Sequence, residues 1–345
     1  MGRIRHLGEG LPSILRPDSR VRSLDGLGSL MALPGSPNVS RLFTAKTRVG
    51  NGEARSLNYG IDTLNNDALV WVKNRSVAYS HMLYDTLRGP LIGLQTDLTS
   101  APSAVAGTLT SFDLNGFGLG NNSSYVNGNS QNYLDLIFRK GRRFFDIKRF
   151  VATASPQNLP HDLGVEPGMI IFRAVGASNW FVWHRSLSNS LTNYLLLTTA
   201  AQGTTASWGS GHTAYTFNTG NLASAGTQFI AYIFAHDPAD DGIIQCGSYN
   251  GSGAAGLAVP LNWMPQFVLI KRINSSSGGS WAMFDAARGM YVGGAEPYFA
   301  IESASGETSA NVLDISATGF SIMGSSTSGF NASGSPYIYL AIRWP

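Results

Sequence analysis

Three stretches of this sequence repeat one another, and that repetition constrains the fold more than any other feature. Each stretch contains an apolar run that ends at a cation, then a polar turn and a second apolar run. The first apolar runs start at Val70, Ile170 and Val268, which are 100 and 98 residues apart. A repeat of about 100 residues has the size of a whole domain and is far longer than one rung of a solenoid. The sequence therefore predicts three successive domains of similar structure.

Each repeat is predicted to consist of short β-strands. β-branched and aromatic residues dominate the apolar runs, and no run is long enough for a typical helix. Each repeat also closes with a strongly apolar strand, in which Tyr133, Phe229 and Tyr337 correspond. Many short strands separated by turns are typical of antiparallel sandwiches. We therefore predict an all-β fold of tandem antiparallel β-sandwich repeats, jelly-roll-like in topology. The predicted repeat boundaries are residues 42–141, 142–238 and 239–345.

An irregular N-terminal arm, residues 1–41, is predicted to precede the repeats. Its many Gly and Pro residues break any regular periodicity. Apolar residues such as Leu11, Ile14 and Leu24 nevertheless make it too apolar for a solvated tail. We expect the arm to pack against neighbouring subunits or a docking partner, or alternatively against the first repeat of its own chain.

Composition and net charge limit the classes of molecule that the chain is expected to bind. Only 13% of the residues are charged, about half of the ~25% that is usual in soluble domains. The net charge of +3 arises mainly from residues 1–41, so the repeats are close to neutral. This balance predicts that the chain has no nucleic-acid partner.

The cysteine content and the length of the apolar runs indicate the cellular compartment in which the chain is made. Cys246 is the single cysteine, which excludes an intrachain disulfide and a Cys-based zinc site. No apolar run approaches the ~18 residues of a membrane span, and the N-terminus lacks the apolar region of a signal peptide. We therefore expect a chain made in a bacterial cytoplasm, with no membrane span.

Known catalytic motifs are missing from the sequence. It contains no Gly-Lys dipeptide for a P-loop, no His-Glu pair for a zincin helix and no G-x-S-x-G elbow. The loop with His236, Asp237, Asp240 and Asp241 offers oxygen ligands for a hard cation, but a loop of this kind is more often a solvated linker. We predict no catalytic residue, no metal site and no cofactor, and hence a protein that is not an enzyme.

An acid and an arginine recur at one repeat position. Asp85 and Arg88 in the first repeat match Asp285 and Arg288 in the third, and each pair precedes a glycine. The second repeat has His184 and Leu187 in these positions. We predict that each pair is a structural ion pair that fixes the turn before its glycine.

The second repeat holds the densest group of aromatic residues. Sugars stack on exposed aromatic rings and accept hydrogen bonds from neighbouring polar groups. A glycan-binding site is therefore predicted at Trp208, His212, Trp183 and Tyr215. We expect Trp208 and His212 to be exposed because they lie in a Gly/Ser-rich loop. The alternative is that these aromatic residues belong to the core.

Four motifs of the third repeat carry a resemblance to a known family. They are PQFVLIK at Pro265–Lys271, WAMFDAARG at Trp281–Gly289, DISATGF at Asp314–Phe320 and NASGSPYIYLAI at Asn331–Ile342. In combination they resemble a repeat family of tail-fibre-like bacteriophage proteins, common in marine phages, whose domains are likened to concanavalin-A-like jelly-roll sandwiches. The resemblance covers about residues 42–345. The first repeat departs most, with His81 in the position of Trp281.

This resemblance implies a structural protein of the phage particle, in the tail rather than the capsid. It implies other virion proteins as partners through residues 1–41 and host-surface glycans as ligands. Because fibre-like proteins are commonly trimers, it also implies a homotrimer. It transfers no catalytic residue. A glycan-binding adhesin, a capsid decoration protein and a polysaccharide-degrading enzyme remain alternatives.

Overall fold

The computed structural model of the chain describes residues 37–345, except for Asn122, residues 199–200, Thr205, Ala223, residues 276–278, Val292 and residues 326–328. The described residues form a single compact unit that begins at Pro37. Most of the predicted arm therefore lies outside the described residues. Its last part does not, because Val39–Arg41 form a 3₁₀-helix and the side chain of Val39 is only 6% exposed.

The first repeat contains nine strands in two antiparallel sheets. The strands are β1 (Phe43–Val49), β2 (Arg55–Asn58), β3 (Ala68–Asn74), β4 (Met82–Asp85), β5 (Ile92–Gln95), β6 (Ser103–Ala104), β7 (Leu109–Asp113), β8 (Gly116–Leu119) and β9 (Asn132–Arg139). The larger sheet has the order β1-β9-β3-β4-β5-β6, and the smaller sheet has the order β2-β8-β7.

The second repeat has the same plan with fewer strands. They are β10 (Phe145–Val151), β11 (Asn158–Pro160), β12 (Pro167–Ala174), β13 (Trp180–His184), β14 (Leu195–Leu196), β15 (Thr216–Asn218) and β16 (Gln228–Ala235). The larger sheet has the order β10-β16-β12-β13-β14, and the smaller sheet pairs β11 with β15.

The third repeat again has nine strands. They are β17 (Ile244–Asn250), β18 (Leu257–Pro260), β19 (Pro265–Arg272), β20 (Ala282–Asp285), β21 (Glu296–Ala300), β22 (Thr308–Ala310), β23 (Leu313–Ser316), β24 (Gly319–Ile322) and β25 (Pro336–Arg343). The sheets have the orders β17-β25-β19-β20-β21-β22 and β18-β24-β23. A second 3₁₀-helix, Ala286–Arg288, follows β20.

The central strands of the larger sheets are buried on both faces. Every residue of β3 and of β12 is buried, which is why these segments read as unbroken apolar runs and lack the alternation of a half-exposed strand. In the first repeat, Val70 and Val72 face the smaller sheet and pack with Phe117 and Leu119. The third repeat has a corresponding cluster, in which Val268 packs with Phe320.

The opposite faces of the three larger sheets meet in a single hydrophobic cluster, which we call the central cluster. It contains residues of all three repeats, among them Leu69, Phe138, Phe234 and Phe267. The rings of Phe138 and Phe234 lie 5.5 Å apart, and those of Phe138 and Phe267 lie 6.1 Å apart. The repeats therefore share this central cluster, while the first and third repeats each also have a separate cluster between their two sheets.

Strand pairing defines which residues of the three repeats are equivalent. Asp85, His184 and Asp285 pair across their hairpins with Leu69, Met169 and Phe267 respectively. Two residues further along the strand are Trp71, Ile171 and Leu269, and two further again are Lys73, Arg173 and Lys271. Along this face, two apolar layers are thus followed by a layer of three buried cations.

The prediction of an all-β, antiparallel fold is confirmed. The tandem jelly-roll arrangement of the sandwiches stays a prediction. No helix among the described residues has the length and apolar character needed to cross a membrane.

Candidate functional site

Two of the three buried cations join neighbouring repeats. The ammonium group of Lys73 donates to the carbonyl of Ala304 in the third repeat at 3.1 Å. In the second repeat, Arg173 donates through Nη2 to the carbonyl of Ser100 in the first at 2.5 Å. Burial lowers the pKa of Lys73 and of Lys271 to about 8, and that of Arg173 to about 10. Lys73 and Arg173 therefore connect repeats, whereas Lys271 donates to the carbonyl of Arg272 in its own repeat.

Beside two of the cations, a tryptophan N–H makes a second contact between repeats. Trp180 Nε1 donates to the carbonyls of Gln95 and Leu98, each at 3.1 Å, and Trp281 Nε1 donates to the carbonyl of Leu196 at 3.0 Å. In the first repeat, His81 occupies the position; its Nδ1 accepts from Trp71 Nε1 at 2.9 Å, and its ring lies 5.3 Å from the ring of Phe299 in the third repeat. The second repeat thus contacts the first, the third contacts the second, and the first contacts the third.

The predicted turn pair of the first repeat lies against the second repeat. Asp85 accepts hydrogen bonds from the backbone N–H and Nε of Arg88 at 2.9 and 2.5 Å. The hydroxyl of Tyr232 in β16 donates to the same carboxylate at 2.8 Å. All three side chains are buried, so the pair fixes its own turn and also a contact between repeats.

The predicted turn pair of the third repeat has the same internal geometry. Asp285 caps the 3₁₀-helix by accepting from the N–H and Nε of Arg288 at 3.0 and 2.6 Å. Gly289 follows with φ of 106°, a conformation that favours glycine. Arg288 also lies 3.4 Å from Glu307, which pairs with Arg75 of the first repeat at 2.8 Å.

A histidine replaces the acid at the same position of the second repeat. His184 is fully buried, and its Nε2 lies 3.1 Å from the carbonyl of Tyr339 in β25. Its Nδ1 accepts from the N–H of Ser186, so the neutral tautomer carries its proton on Nε2. Burial lowers the pKa of His184 to about 3. A neutral imidazole therefore contacts the third repeat where the first repeat uses a charged pair.

The acidic loop considered for a cation is occupied by an arginine. Arg143 donates through Nε to Asp237 at 2.7 Å and through Nη2 to Asp241 at 2.5 Å. Across the described part of residues 37–345, no three His, Cys, Asp or Glu side chains come together in a way that would hold a metal ion. The carboxylates of Asp237 and Asp241 therefore form ion pairs with Arg143.

A polar cavity in the second repeat is the strongest candidate for a binding site. Its volume is about 240 Å³. The residues that line it come from the start of β12, the end of β13 and two loops: Glu166, Pro167, Trp183, Arg185, Ser190, Leu191, Ser210, Gly211 and His212. Trp183 is held by a hydrogen bond from its Nε1 to the carbonyl of Ser190 at 2.8 Å.

Two of the four predicted glycan-binding residues lie at this cavity. The rings of Trp183 and His212 are 4.0 Å apart, and both residues line the cavity. Tyr215 is 71% exposed but does not line the cavity.

The expectation that Trp208 is exposed is wrong. Its side chain is 0% exposed, stacks on Phe172 at 5.5 Å and donates through Nε1 to the carbonyl of Asn193 at 2.8 Å. The Gly/Ser-rich flanks of Trp208 suggested a surface loop, but the loop folds inward and its indole fills the core. The buried ring of Trp208 also packs against the ring of His212, with ring centroids 6.0 Å apart.

Arg185 and Glu166 were missed by the sequence reasoning. A signal existed for Arg185, because strand pairing makes it equivalent to Thr86 and Ala286. A cation that replaces small neutral residues at a repeat position marks a departure from the shared scaffold. Glu166 carries no comparable signal, because it reaches the cavity only through the pairing of β12 with β13.

The comparisons with known proteins agree in extent with this compact unit. A model for a domain of unknown function (DUF7483) matches residues 38–343. A search of curated proteins returns no match. Because the matched region spans most of the sequence and nearly all of the compact unit, the chain belongs to the DUF7483 family.

Proposed function

We propose that this chain is a structural protein of a bacteriophage particle, located in the tail or tail fibre, where it contributes to assembly and host-surface attachment. The observation that carries the proposal is the closed cycle of three repeats within one chain. Its recurrent charged side chains serve contacts between repeats, as the hydrogen bonds of Lys73, Asp85 and Arg173 show. A compact cycle of similar β-sandwich repeats, held by buried polar contacts, suits a rigid building block of a larger assembly.

The motif resemblance of residues 42–345 supports the same proposal. In it, residues 1–41 dock the chain onto other virion proteins and join three copies into a trimer. The shared central cluster is already closed by the three repeats of one chain, so trimer formation through the repeats is not needed to bury it. The protein is made in the cytoplasm of the host bacterium and is then built into the particle.

Electron cryo-microscopy of purified particles, combined with gold-labelled antibodies against residues 37–345, tests the location. We expect label at the tail or its fibres, and none with antibodies raised against a cytosolic host protein. Label spread over the head would replace the proposal with a capsid decoration role. Particles that lack the chain altogether would refute a virion role.

A glycan-binding adhesin is the second candidate, and the cavity beside Trp183 and His212 favours it. This activity is compatible with a place in the tail. Binding to host polysaccharide without release of reducing ends is the expected result. Release of reducing ends from host capsule or lipopolysaccharide by the purified chain would instead establish a polysaccharide-degrading enzyme.

A further inference from the structure

Two buried histidines lie where the third repeat meets the other two. His81 belongs to the first repeat, and its ring lies 5.3 Å from the ring of Phe299 in the third. His184 belongs to the second repeat, and its Nε2 lies 3.1 Å from the carbonyl of Tyr339 in the third. Both histidines are 0% exposed. The third repeat thus meets each of its neighbours at a buried imidazole.

The hydrogen bonds of both rings require the neutral form. Nδ1 of His81 accepts from Nε1 of Trp71 at 2.9 Å, and an indole nitrogen can only donate. A second proton on the imidazole would point at the indole proton and remove this hydrogen bond. Nδ1 of His184 likewise accepts from the backbone N–H of Ser186 at 3.1 Å. Neither ring can therefore become an imidazolium and keep its contacts.

Two cations at the contact between the first and third repeats also oppose a charge on His81. The ring of Phe299 has Nζ of Lys73 at 5.2 Å and Cζ of Arg288 at 4.2 Å from its centre. Burial, together with the charges of Lys73 and Arg288, holds the pKa of His81 well below its usual value. A proton on His81 would add a third positive charge to this buried place.

The acids near this contact serve the two cations. Asp285 and Glu307 lie 2.6 and 3.4 Å from Arg288, and the charge of Asp97 acts on Lys73. These carboxylates offset charges that the contact already holds. They do not remove the penalty for one more.

The surroundings of His184 also favour a neutral ring. Burial lowers the pKa of His184 to about 3, and the charge of Arg185 acts in the same direction. The phenol of Tyr339 and the thiol of Cys246 are neutral, because burial raises the pKa of each, that of Tyr339 to about 12. His236, half-buried after β16, accepts from the N–H of Cys246 at 3.2 Å.

The polar contacts between the first and second repeats use different chemistry. Their donors are Arg173, Trp180 and Tyr232, and none of these side chains changes its charge between pH 7 and pH 4.5. An ion pair of 2.7 Å joins Lys140 of the first repeat to Asp162 of the second. Hydrogen bonds from Lys140 and a second lysine lower the pKa of Asp162 to about 2, so the pair persists in mild acid.

We propose that the third repeat is released by acid: protonation of His81 and His184 separates it from the first and second repeats, which stay joined to each other. The released repeat remains tethered through residues 236–243 and exposes its part of the central cluster. This conformational change is a property of the chain itself and does not depend on a place in a virus particle.

The direction of the pH effect follows from proton binding. In the closed chain both histidines stay neutral, whereas in the released chain each regains an ordinary pKa of about 6.5. The released state therefore binds more protons as the pH falls below this value. Each histidine raises the ratio of released to closed chains by up to about 100-fold between pH 7 and pH 4.5.

Hydrogen exchange of the full native chain tests the proposal with two matched amides. The N–H of Ser178 donates to the carbonyl of Thr99, between the second and first repeats, at 2.9 Å. The N–H of Gln202 donates to the carbonyl of Ile273, between the second and third repeats, also at 2.9 Å. We expect the exchange rate of Gln202, divided by that of Ser178, to rise at least tenfold from pH 7 to pH 4.5. The ratio cancels the effect of pH on exchange itself.

The single cysteine gives a second readout. Cys246 of the third repeat is 1% exposed, and its Sγ lies 3.8 Å from the carbonyl of Ala235 in the second. A dipyridyl disulfide, which remains reactive towards thiols in acid, should label Cys246 at least tenfold faster at pH 4.5 than at pH 7. A free cysteine peptide measured in parallel corrects for the pH dependence of the reagent.

A double variant removes the two titrating groups. His81→Asn keeps an oxygen that accepts from Trp71, and His184→Gln keeps an amide that donates to the Tyr339 carbonyl, but neither side chain titrates. We expect the exchange ratio and the labelling rate of the double variant to change less than threefold between pH 7 and pH 4.5. His236 is left in place, so any loss of response comes from the two buried histidines.

His161 offers a matched control within one repeat. It is 4% exposed, its Nδ1 accepts from the N–H of Leu163, and its Nε2 lies 3.0 Å from the carbonyl of Thr213. This arrangement matches that of His184, but both partners belong to the second repeat. His161→Gln should therefore keep the full acid response of the native chain.

Three results would overturn the proposal. One is an equal rise in exchange at Ser178 and Gln202, which would mean that acid unfolds the chain as a whole. Another is a labelling rate of Cys246 that does not respond to acid. The third is an acid response of the double variant equal to that of the native chain. The first two comparisons use the native chain, so they decide the matter even where the double variant is not folded at pH 7.

Discussion

The first and second repeats use different side chains at the equivalent position to contact the next repeat. Asp85 of the first repeat, paired with Arg88, accepts from the hydroxyl of Tyr232 in the next repeat. His184 of the second repeat, at the equivalent position, instead contacts the backbone carbonyl of Tyr339. The cycle of repeats thus requires a polar contact at this place but not a particular charge.

The second repeat also departs from the others around its smaller sheet. Among the described residues, that sheet has two strands, whereas the smaller sheets of the first and third repeats each have three. In its place, the segment with Trp208 and His212 fills the core and borders the polar cavity. The candidate binding site therefore lies in the repeat whose smaller sheet has fewer strands.

The largest expected effect tests whether this segment is core or surface. Trp208→Ala should lower the free energy of unfolding by about 3–5 kcal/mol, because it removes a buried indole and leaves a cavity. Tyr215→Ala, which changes an exposed ring of the same segment, should change it by less than about 0.5 kcal/mol. Urea unfolding of both variants measures the contrast. Equal effects would mean that the segment does not pack as described.

The next largest effect tests the charged pair. Asp85→Asn keeps the size of the side chain but leaves the buried guanidinium of Arg88 without its counter-charge. We expect a loss of about 3 kcal/mol in the free energy of unfolding. Asp240→Asn, at an exposed acid, is the control and should have little effect. A loss no greater than that of the control would show that the buried pair is not needed for the contact.

Acid should act on the corresponding contact of the second repeat. The pKa of His184 is about 3 in the folded chain, against about 6.5 in the unfolded chain. The unfolded state therefore binds more protons between these values, and the stability present above pH 6.5 is lost as the pH falls. The loss from this group should reach about 3 kcal/mol by pH 4.5.

Comparison with His184→Gln isolates that effect from other titrations. The glutamine amide can donate to the Tyr339 carbonyl but does not titrate. The difference in free energy of unfolding between the native chain and the variant should therefore shift by about 3 kcal/mol, in favour of the variant, between pH 7 and pH 4.5. A difference that stays constant with pH would contradict the assignment of a buried neutral histidine.

The smallest expected effect concerns a single hydrogen bond between repeats. Trp281→Phe removes the donor to the Leu196 carbonyl and leaves that carbonyl unpaired, at a cost of about 1–2 kcal/mol. The same change at the equivalent Trp180 should cost more, because its Nε1 serves two carbonyls, those of Gln95 and Leu98. Thermal unfolding of the two variants ranks them, and the reverse order would contradict the contacts described.

Local structure could be predicted from the sequence where it depends on residues that are close together in the sequence. The two apolar runs of the third repeat form β19 and β20, as their β-branched and aromatic content predicts. The Asp and Arg residues predicted to pair are three positions apart in both copies and are in contact. Short spacing made these contacts independent of the rest of the fold.

Packing between segments that are far apart in the sequence could not be predicted in the same way. Unbroken apolar runs such as Ala68–Val72 indicate strands that are covered on both faces, but they do not identify what covers them. Likewise, the flanks of Trp208 are those of a surface loop, and only the fold around Phe172 shows that it is buried. Trp183 and His212 were foreseen at the candidate site, whereas Arg185 and Glu166 depend on strand pairing.

The shared central cluster also sets how many repeats the gene can carry. In an open solenoid, a unit can be gained or lost and the ends capped again. Here each repeat covers part of its neighbours' inner faces, and the third contacts the first through Lys73 and Ala304. Recombination that deleted or duplicated one repeat would leave an apolar face uncovered. The three copies can diverge in sequence, as the second has done, but their number cannot change without exposing apolar surface.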